Sequence, residues 1–264
     1  MDEKKVVQVG GSIEESLQGK YNIDVPSVLK EAWQLTLRTR IAINVGLLFI
    51  LIFAVIVSFA ISNSLGGIEE VIKDPQSSTL LNIVIVLISS PFLVGVEMMG
   101  IFHAVGIKTN SKLIFAFLKR GSWVAVCALL TSVLISIGMS LFILPGIYLS
   151  AAFSLALPLV VDKKLSPLKA IILSLKVTRF QWFKLVSIYA LLLIALFMSL
   201  IPLVVLAQSQ LSVIGVIIFL VALTFIAPLF YNVKGILYRE IFGMQLSPSD
   251  TDTTPNQTSD TFSA

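Results

Sequence analysis

The chain reads as long apolar stretches separated by short charged ones, with no charge anywhere in residues 41–68, 80–96, 121–161 and 185–233. A bilayer's hydrocarbon core is about 30 Å thick, and about 20 apolar residues of helix cross it. The first stretch therefore predicts one crossing helix at residues 41–62, and the second predicts another at 80–104. The third is too long for one, since at about 1.5 Å per residue a helix from Trp123 to Val161 would be nearly twice the thickness of the core. It has to fold back. Pro145-Gly146 is the helix-breaking pair inside it, because proline lacks an amide donor and glycine tolerates positive φ. Spans at 123–144 and 147–161 follow, joined by a hairpin turn at Pro145 and Gly146. The second of these is extended by Lys163 and Lys164, whose stems reach the headgroups. The last stretch divides into 185–207 and 212–231. The expected fold is an all-α polytopic membrane protein with six transmembrane helices.

The charged segments between the spans are uneven in sign. Lys4, Lys5, Lys20, Lys30, Arg38 and Arg40 precede the first span, and Lys108, Lys112, Lys119 and Arg120 lie between the second and third. Lys163, Lys164, Lys169, Lys176, Arg179 and Lys184 lie between the fourth and fifth, Lys234 and Arg239 follow the sixth, and Lys73 alone is on the other side. Because basic residues are retained on the cytoplasmic side, both termini and the two basic loops are expected in the cytoplasm. The polar start, MDEKKVVQVGGSIEES, has no signal-peptide pattern, so the first span is expected to serve as the insertion signal.

Two of the basic segments align directly, SVLKEAWQLTLRTR from Ser27 with SPLKAIILSLKVTR from Ser166. The middle one, SKLIFAFLKRGSW from Ser111, aligns more loosely. Pro91, Pro158 and Pro228 recur in the even-numbered spans. The pattern predicts three parallel repeats, each an amphipathic helix followed by a two-span hairpin. In the best copy, Leu168, Ile171, Ile172 and Leu175 recur at helical spacing while Lys169 and Lys176 share another face, so this helix is expected to lie along the membrane surface. Residues 24–245 are expected to form the membrane domain. Residues 1–23 are expected to form a flexible cytoplasmic arm in which Gly10-Gly11 carries no phosphate loop, and residues 246–264 a disordered cytoplasmic tail.

Composition agrees: 56% of the 264 residues are apolar, 13% are charged, and the mean hydropathy is +0.96. The net charge of +4 comes from segments flanking the spans, which points to a lipid surface and away from nucleic acid. Lys30, Lys112, Lys119, Lys169 and Lys176 are the candidate contacts for anionic headgroups. With one cysteine, Cys127, and one histidine, His103, no disulfide and no zinc site of the usual type is expected, and HExxH, GxSxG and Walker A spacings are absent from the sequence. No cofactor and no enzymatic activity are expected.

Glu97 is the candidate intramembrane functional residue, since a carboxylate inside a span is functional by default. With the second span at 80–104, it falls about 7–8 Å from the span's centre near Phe92. His103 is read as interfacial and not paired with Glu97. Ser132, Ser136 and Ser140, and Ser150 with Ser154, form small-residue stripes suited to helix packing, each serine able to bond a carbonyl of its own helix.

The stretch from Pro145 to Trp182, PGIYLSAAFSLALPLVVDKKLSPLKAIILSLKVTRFQW, resembles the signature region of YciC-like bacterial inner-membrane proteins. These are related to the membrane domain attached to some glycerophosphodiester phosphodiesterases. Pro145, Gly146, Asp162, Ser166, Pro167, Ala170, Ser174, Thr178, Arg179 and Trp182 occupy the pattern's positions, with Asp162 in place of the more usual Glu and Phe180 in place of Gly. The resemblance implies a bacterial inner (plasma) membrane protein and brings no established activity. The expected function is a non-catalytic membrane protein that organises membrane lipids, anionic ones in particular, or a membrane-protein partner. The alternative is a small transporter or channel, which would need a polar pathway across the bundle.

Overall fold

The computed structural model describes residues 7–246. In chain order these form strand β1 (Val7–Val9) and helices α1 (Ile13–Leu17), α2 (Val25–Ser64), α3 (Ile68–Lys73) and α4 (Pro75–Ala104). Two 3-10 turns (Ser111–Phe115 and Leu118–Arg120) lead to α5 (Gly121–Leu141), α6 (Ile143–Phe153), α7 (Ala156–Asp162) and α8 (Pro167–Thr178). A third 3-10 turn (Arg179–Gln181) precedes α9 (Trp182–Leu206), α10 (Ser212–Phe242) and strand β2 (Met244–Leu246). Six stretches among the described residues are long and apolar enough to cross a membrane, with α6 and α7 counting together as one. The protein is all-α and polytopic.

The fold-back in the long third stretch is not at Pro145-Gly146. The helix breaks at Phe142, whose backbone is extended (φ −156°, ψ 146°), and Pro145 and Gly146 lie in the first turn of α6. A first-turn amide has no partner inside its helix, so proline costs nothing there. Gly146 serves a different purpose: a Cβ on it would lie 2.8 Å from the Met139 Cα, and one on Gly138 would lie 3.2 Å from the Gly146 Cα. The two glycines let α5 and α6 meet backbone to backbone. Ser136 and Ser140, expected at such a contact, are exposed, and Ser140 donates to the Ser136 carbonyl of its own helix at 2.9 Å.

Prolines inside the other spans free a carbonyl one turn earlier, and in hydrocarbon that carbonyl needs a donor. Pro91 frees Leu87, to which the Ser90 hydroxyl donates at 3.3 Å; Pro228 frees Thr224, to which the Asn44 amide donates at 2.9 Å. The start of α4 is capped by Asp74, which accepts from the Ser77 hydroxyl (2.6 Å) and from the amides of Ser77 and Gln76. The Ser77 hydroxyl, then those amides, hold its carboxyl below the ordinary value of 3.8. A depressed carboxyl contributes above that ordinary value and stops contributing as the pH falls through the lower one, so the cap is complete at neutral pH.

The chain divides into two compact units. One comprises the described parts of Met1–Asn44, Met99–Asn110 and Lys176–Ala264, and the other comprises Val45–Met98 and Ser111–Leu175. In the second unit, a Cβ on Gly95 would lie 2.5 Å from the Ile114 Cα, and one on Gly121 would lie 3.2 Å from the Pro91 ring. The connector before α5 is thus packed well below the end of α4, held by Phe115 against the Phe49 and Phe92 rings at 5.2 and 5.8 Å. Arg120 donates to the Val160 carbonyl at 2.7 Å, near the end of α7. The expected surface helix is present as α8, but the buried face is Ala170, Ile171 and Ser174, with the Ser174 hydroxyl donating to the Ala152 carbonyl where α6 ends. Of the three expected amphipathic helices, this is the one that forms a separate element. The first is the opening of the continuous 40-residue α2, and the middle one is two 3-10 turns.

In the first unit, α2 and α10 run antiparallel, tied at three levels. Asn44 reaches Thr224, Asn232 reaches Thr36, and Arg239 reaches Glu31. Residues 7–23, expected as a flexible arm, are built into this unit. β1 pairs antiparallel with β2 (Val7 opposite Leu246), the Gly11 amide donates to the Arg239 carbonyl at 2.9 Å, and the Ser16 hydroxyl donates to the Ile241 carbonyl. Further along, the Tyr21 hydroxyl donates to the Val177 carbonyl at 2.8 Å, and Gln181 accepts from the Ile23 amide at 3.0 Å. The bond to Ile241 satisfies a helix-end carbonyl that α10 leaves without an intrahelical donor, and the Arg239 carbonyl is shared between the Gly11 and Gly243 amides. Leu246 belongs to β2, and the rest of the expected tail lies outside the described residues.

Candidate functional site

Two glycines bring α4 and α10 into backbone contact in the first unit. A Cβ on Gly100 would lie 2.1 Å from the Tyr231 carbonyl oxygen, and one on Gly235 would lie 2.1 Å from that of Gly100. Facing side chains one turn away are forced together, and here they are polar. His103 Nδ1 is 3.1 Å from Asn232 Oδ1, and its Nε2 is 2.7 Å from the Thr109 hydroxyl. Asn232 Nδ2 is 3.0 Å from the Thr36 hydroxyl, which is 2.8 Å from the Ala32 carbonyl. One assignment of protons satisfies every link. The Thr109 hydroxyl donates to Nε2, Nδ1–H donates to Asn232, the Asn232 amide donates to Thr36, and Thr36 donates to Ala32. The imidazole in that assignment is neutral. His103, Asn232 and Thr36 are 3, 0 and 0% exposed. His103, read from its place near the span's end as interfacial, is thus buried in protein and bonded to Asn232 of α10 and to Thr109 just after α4.

Below this chain Arg239 forms a fork with Glu31 (2.6 and 2.9 Å), donates to the Ala104 carbonyl at the last residue of α4 (2.6 Å), and meets Glu240 (2.7 Å). The guanidinium thus caps α4 and ties it to α2 and α10, a geometry lysine's point charge would not reproduce. Arg40 lies over the Phe225 ring at 4.2 Å. With Arg40 marking the boundary of the apolar run, Asn232, Lys234 and Arg239 lie beyond it. The polar chain lies on the Arg239 side of the Arg40–Phe225 contact, toward the basic ends of α2 and α10.

Glu97 is 5% exposed, as an inward-facing carboxyl should be. Gly121, which follows Lys119 and Arg120, packs at the level of Pro91. Glu97 is six residues further along α4, about 9 Å on the basic side of that level. Lys234 is buried as well (4%), and neither Glu97 nor Lys234 is without a partner. The two stand at equivalent places, each six residues after a mid-helix proline, Pro91 and Pro228.

The five candidate lysines, Lys30, Lys112, Lys119, Lys169 and Lys176, are all exposed. On α8 the outward stripe consists of Leu168 and Ile172 (63 and 50% exposed) with Lys169 and Lys176 along its edge. Sequence reasoning missed the His103, Asn232, Thr36 and Thr109 chain. The available signal was an asparagine and a lysine closing an otherwise apolar run, YNVKG, in the sixth span. Among the described residues no group of three or more His, Cys, Asp or Glu side chains could hold a metal ion. Compared with protein-family models, curated proteins and solved structures, the chain matches none.

Proposed function

We propose that this chain is a non-catalytic multi-pass protein of the bacterial inner membrane, with both termini in the cytoplasm, that organises anionic lipid at the cytoplasmic face. The observation that supports this reading is the pair of faces on α8. Its small and polar side is fixed to the protein through Ser174, and what remains outward is two aliphatic side chains edged by two lysines. Such a stripe sits at the acyl boundary with its ammonium groups among the phosphates. A membrane-protein partner is the other occupant of that face. A transporter would need a polar route through the apolar half, yet in the first unit the buried polar side chains are Ser16, Thr36, His103, Thr178, Asn232 and Lys234, and none lies in residues 192–228.

A lysine near an anionic surface gains about 1 kcal/mol, equivalent to about a fivefold change in affinity. Replacing both Lys169 and Lys176 by Gln is expected to lower co-purified anionic lipid, measured by mass spectrometry after mild detergent extraction. Unchanged lipid in a variant of unchanged topology removes the recognition claim. Topology is checked in a Cys127→Ser background with single substitutions Lys20→Cys and Gln208→Cys, both exposed positions. An impermeant thiol reagent on intact cells is expected to label the second and spare the first. Labelling at Lys20→Cys would overturn the orientation.

A further inference from the structure

The turn between α5 and α6 differs in composition from the turns after α2 and after α9. Leu141, Phe142, Ile143 and Leu144 are 67, 74, 70 and 78% exposed, four apolar side chains in a row. α2 ends on Asn63 and Ser64 and passes through Leu65, Gly66 and Gly67 into the charged α3, and the turn after α9 places Gln208, Ser209 and Gln210 ahead of Leu211. Both carry the polar residues that the α5–α6 turn lacks. Helix length locates the apolar one. The 21 residues of α5 start directly after Lys119 and Arg120 and extend about 31 Å, which matches a hydrocarbon core of about 30 Å. Leu141 is therefore carried to the opposite edge of the core and no further.

The backbone fixes the depth more narrowly. The Phe142 amide reaches the Gly138 carbonyl (3.1 Å) and the Gly146 amide reaches the Phe142 carbonyl (3.3 Å). The first-turn amides of Ile143 and Leu144 get no side-chain cap from Phe142, and Pro145 supplies no donor to the end of α5. Amides and carbonyls of that kind are not tolerated in hydrocarbon and need headgroups or water. Apolar side chains that seek acyl chains and a backbone that seeks polar groups are both satisfied at one place, the boundary between headgroups and acyl chains.

We infer that the Leu141–Phe142–Ile143–Leu144 tip is a lipid-binding wedge seated in the leaflet opposite the basic connectors, holding the α5 and α6 hairpin at a fixed depth. Its occupant is lipid and not a second copy of the chain. The Gly138 and Gly146 contact fixes the hairpin's inner side, and what the tip leaves outward is a run of only four side chains, short of the roughly 800 Å² per partner that a stable protein interface needs. The inference is independent of the lysines on α8.

The test uses the full chain in a Cys127→Ser background, reconstituted in vesicles of phosphatidylcholine and phosphatidylglycerol, with a nitroxide at Phe142→Cys and, separately, at Leu144→Cys. Asn63→Cys and Gln208→Cys report the other two turns. Collision rates are measured with oxygen, which dissolves in lipid, and with a nickel chelate, which stays in water. The wedge requires an oxygen-to-nickel ratio at both tip positions several-fold above that at the two comparison sites. A ratio equal to theirs places the tip in water and overturns the inference. Low rates with both reagents mean that protein covers the tip, which overturns it as well.

Discussion

Replacing Gly235 by alanine is expected to destabilise the protein severely, whereas the same change at Gly121 is expected to be close to neutral. In a helix interior alanine is favoured over glycine by about 0.8–1.0 kcal/mol. That gain applies in full at Gly235 and only in part at Gly121, the first residue of α5, so the surroundings decide the sign. At Gly121 the new methyl meets the Pro91 ring at 3.2 Å, a neighbour able to shift by a few tenths of an ångström. At Gly235 it would meet the Gly100 carbonyl oxygen at 2.1 Å and the Gly100 carbonyl carbon at 2.3 Å, and a helix backbone cannot swing aside as a side chain does. Overpacking of a well-filled contact costs about 1–3 kcal/mol, and a backbone clash lies at the top of that range or above it. Forcing α4 and α10 apart also lengthens every link from His103 to Asn232. Thermal unfolding in detergent, followed by the loss of monodisperse protein, distinguishes the two variants. A Gly235→Ala protein as stable as the unsubstituted one would mean that the two helices do not touch there.

The second large effect is expected at Asn232. Leucine at this position keeps the branching of asparagine, is somewhat larger, and removes both hydrogen bonds, leaving buried His103 without its acceptor. An unsatisfied buried donor costs about 1–3 kcal/mol. The imidazole can lower part of this by moving its proton to Nε2 and donating to Thr109, so the middle of that range is the expected loss. The more telling measurement is the double variant. Once Asn232 is leucine, changing His103 to phenylalanine removes the orphaned group itself, so the pair of substitutions should cost less than the sum of the single ones by about 1 kcal/mol or more, the size seen for residues in one network. Strict additivity would show that the chain of hydrogen bonds is not a coupled unit.

How far the sequence could be read follows from what each pattern measures. Charge-free length counts crossings, and all six were legible because lipid and water differ so strongly in what they accept. The same index cannot distinguish lipid from protein interior. The apolar run of α4 continues through Met98, Met99 and Ile101, which are wholly buried in protein. Pro145-Gly146 misplaced the turn by three residues, since a proline is at home in the first turn of a helix as well as in a loop. The stripe on α8 was seen, but its inward face rests on Ala170 and Ser174, small residues that hydropathy undervalues. The chain from Thr109 to Thr36 depends on residues far apart in sequence, and no local pattern announces which asparagine will meet which histidine.

The pairing of β1 with β2, and of Ser16 with Ile241 across 225 positions, has a bearing on how the protein is made. The earlier half of each pair leaves the ribosome long before its complement exists, and it has to stay open while the six crossing helices insert. Contacts so distant are the last to repay the entropy of closing the loop between them. Until α10 is complete, β1 is a bare strand edge, and such an edge invites pairing with another chain or recognition by a chaperone. Closing that edge therefore waits for β2: a chain arrested before residue 244 leaves β1 unpaired.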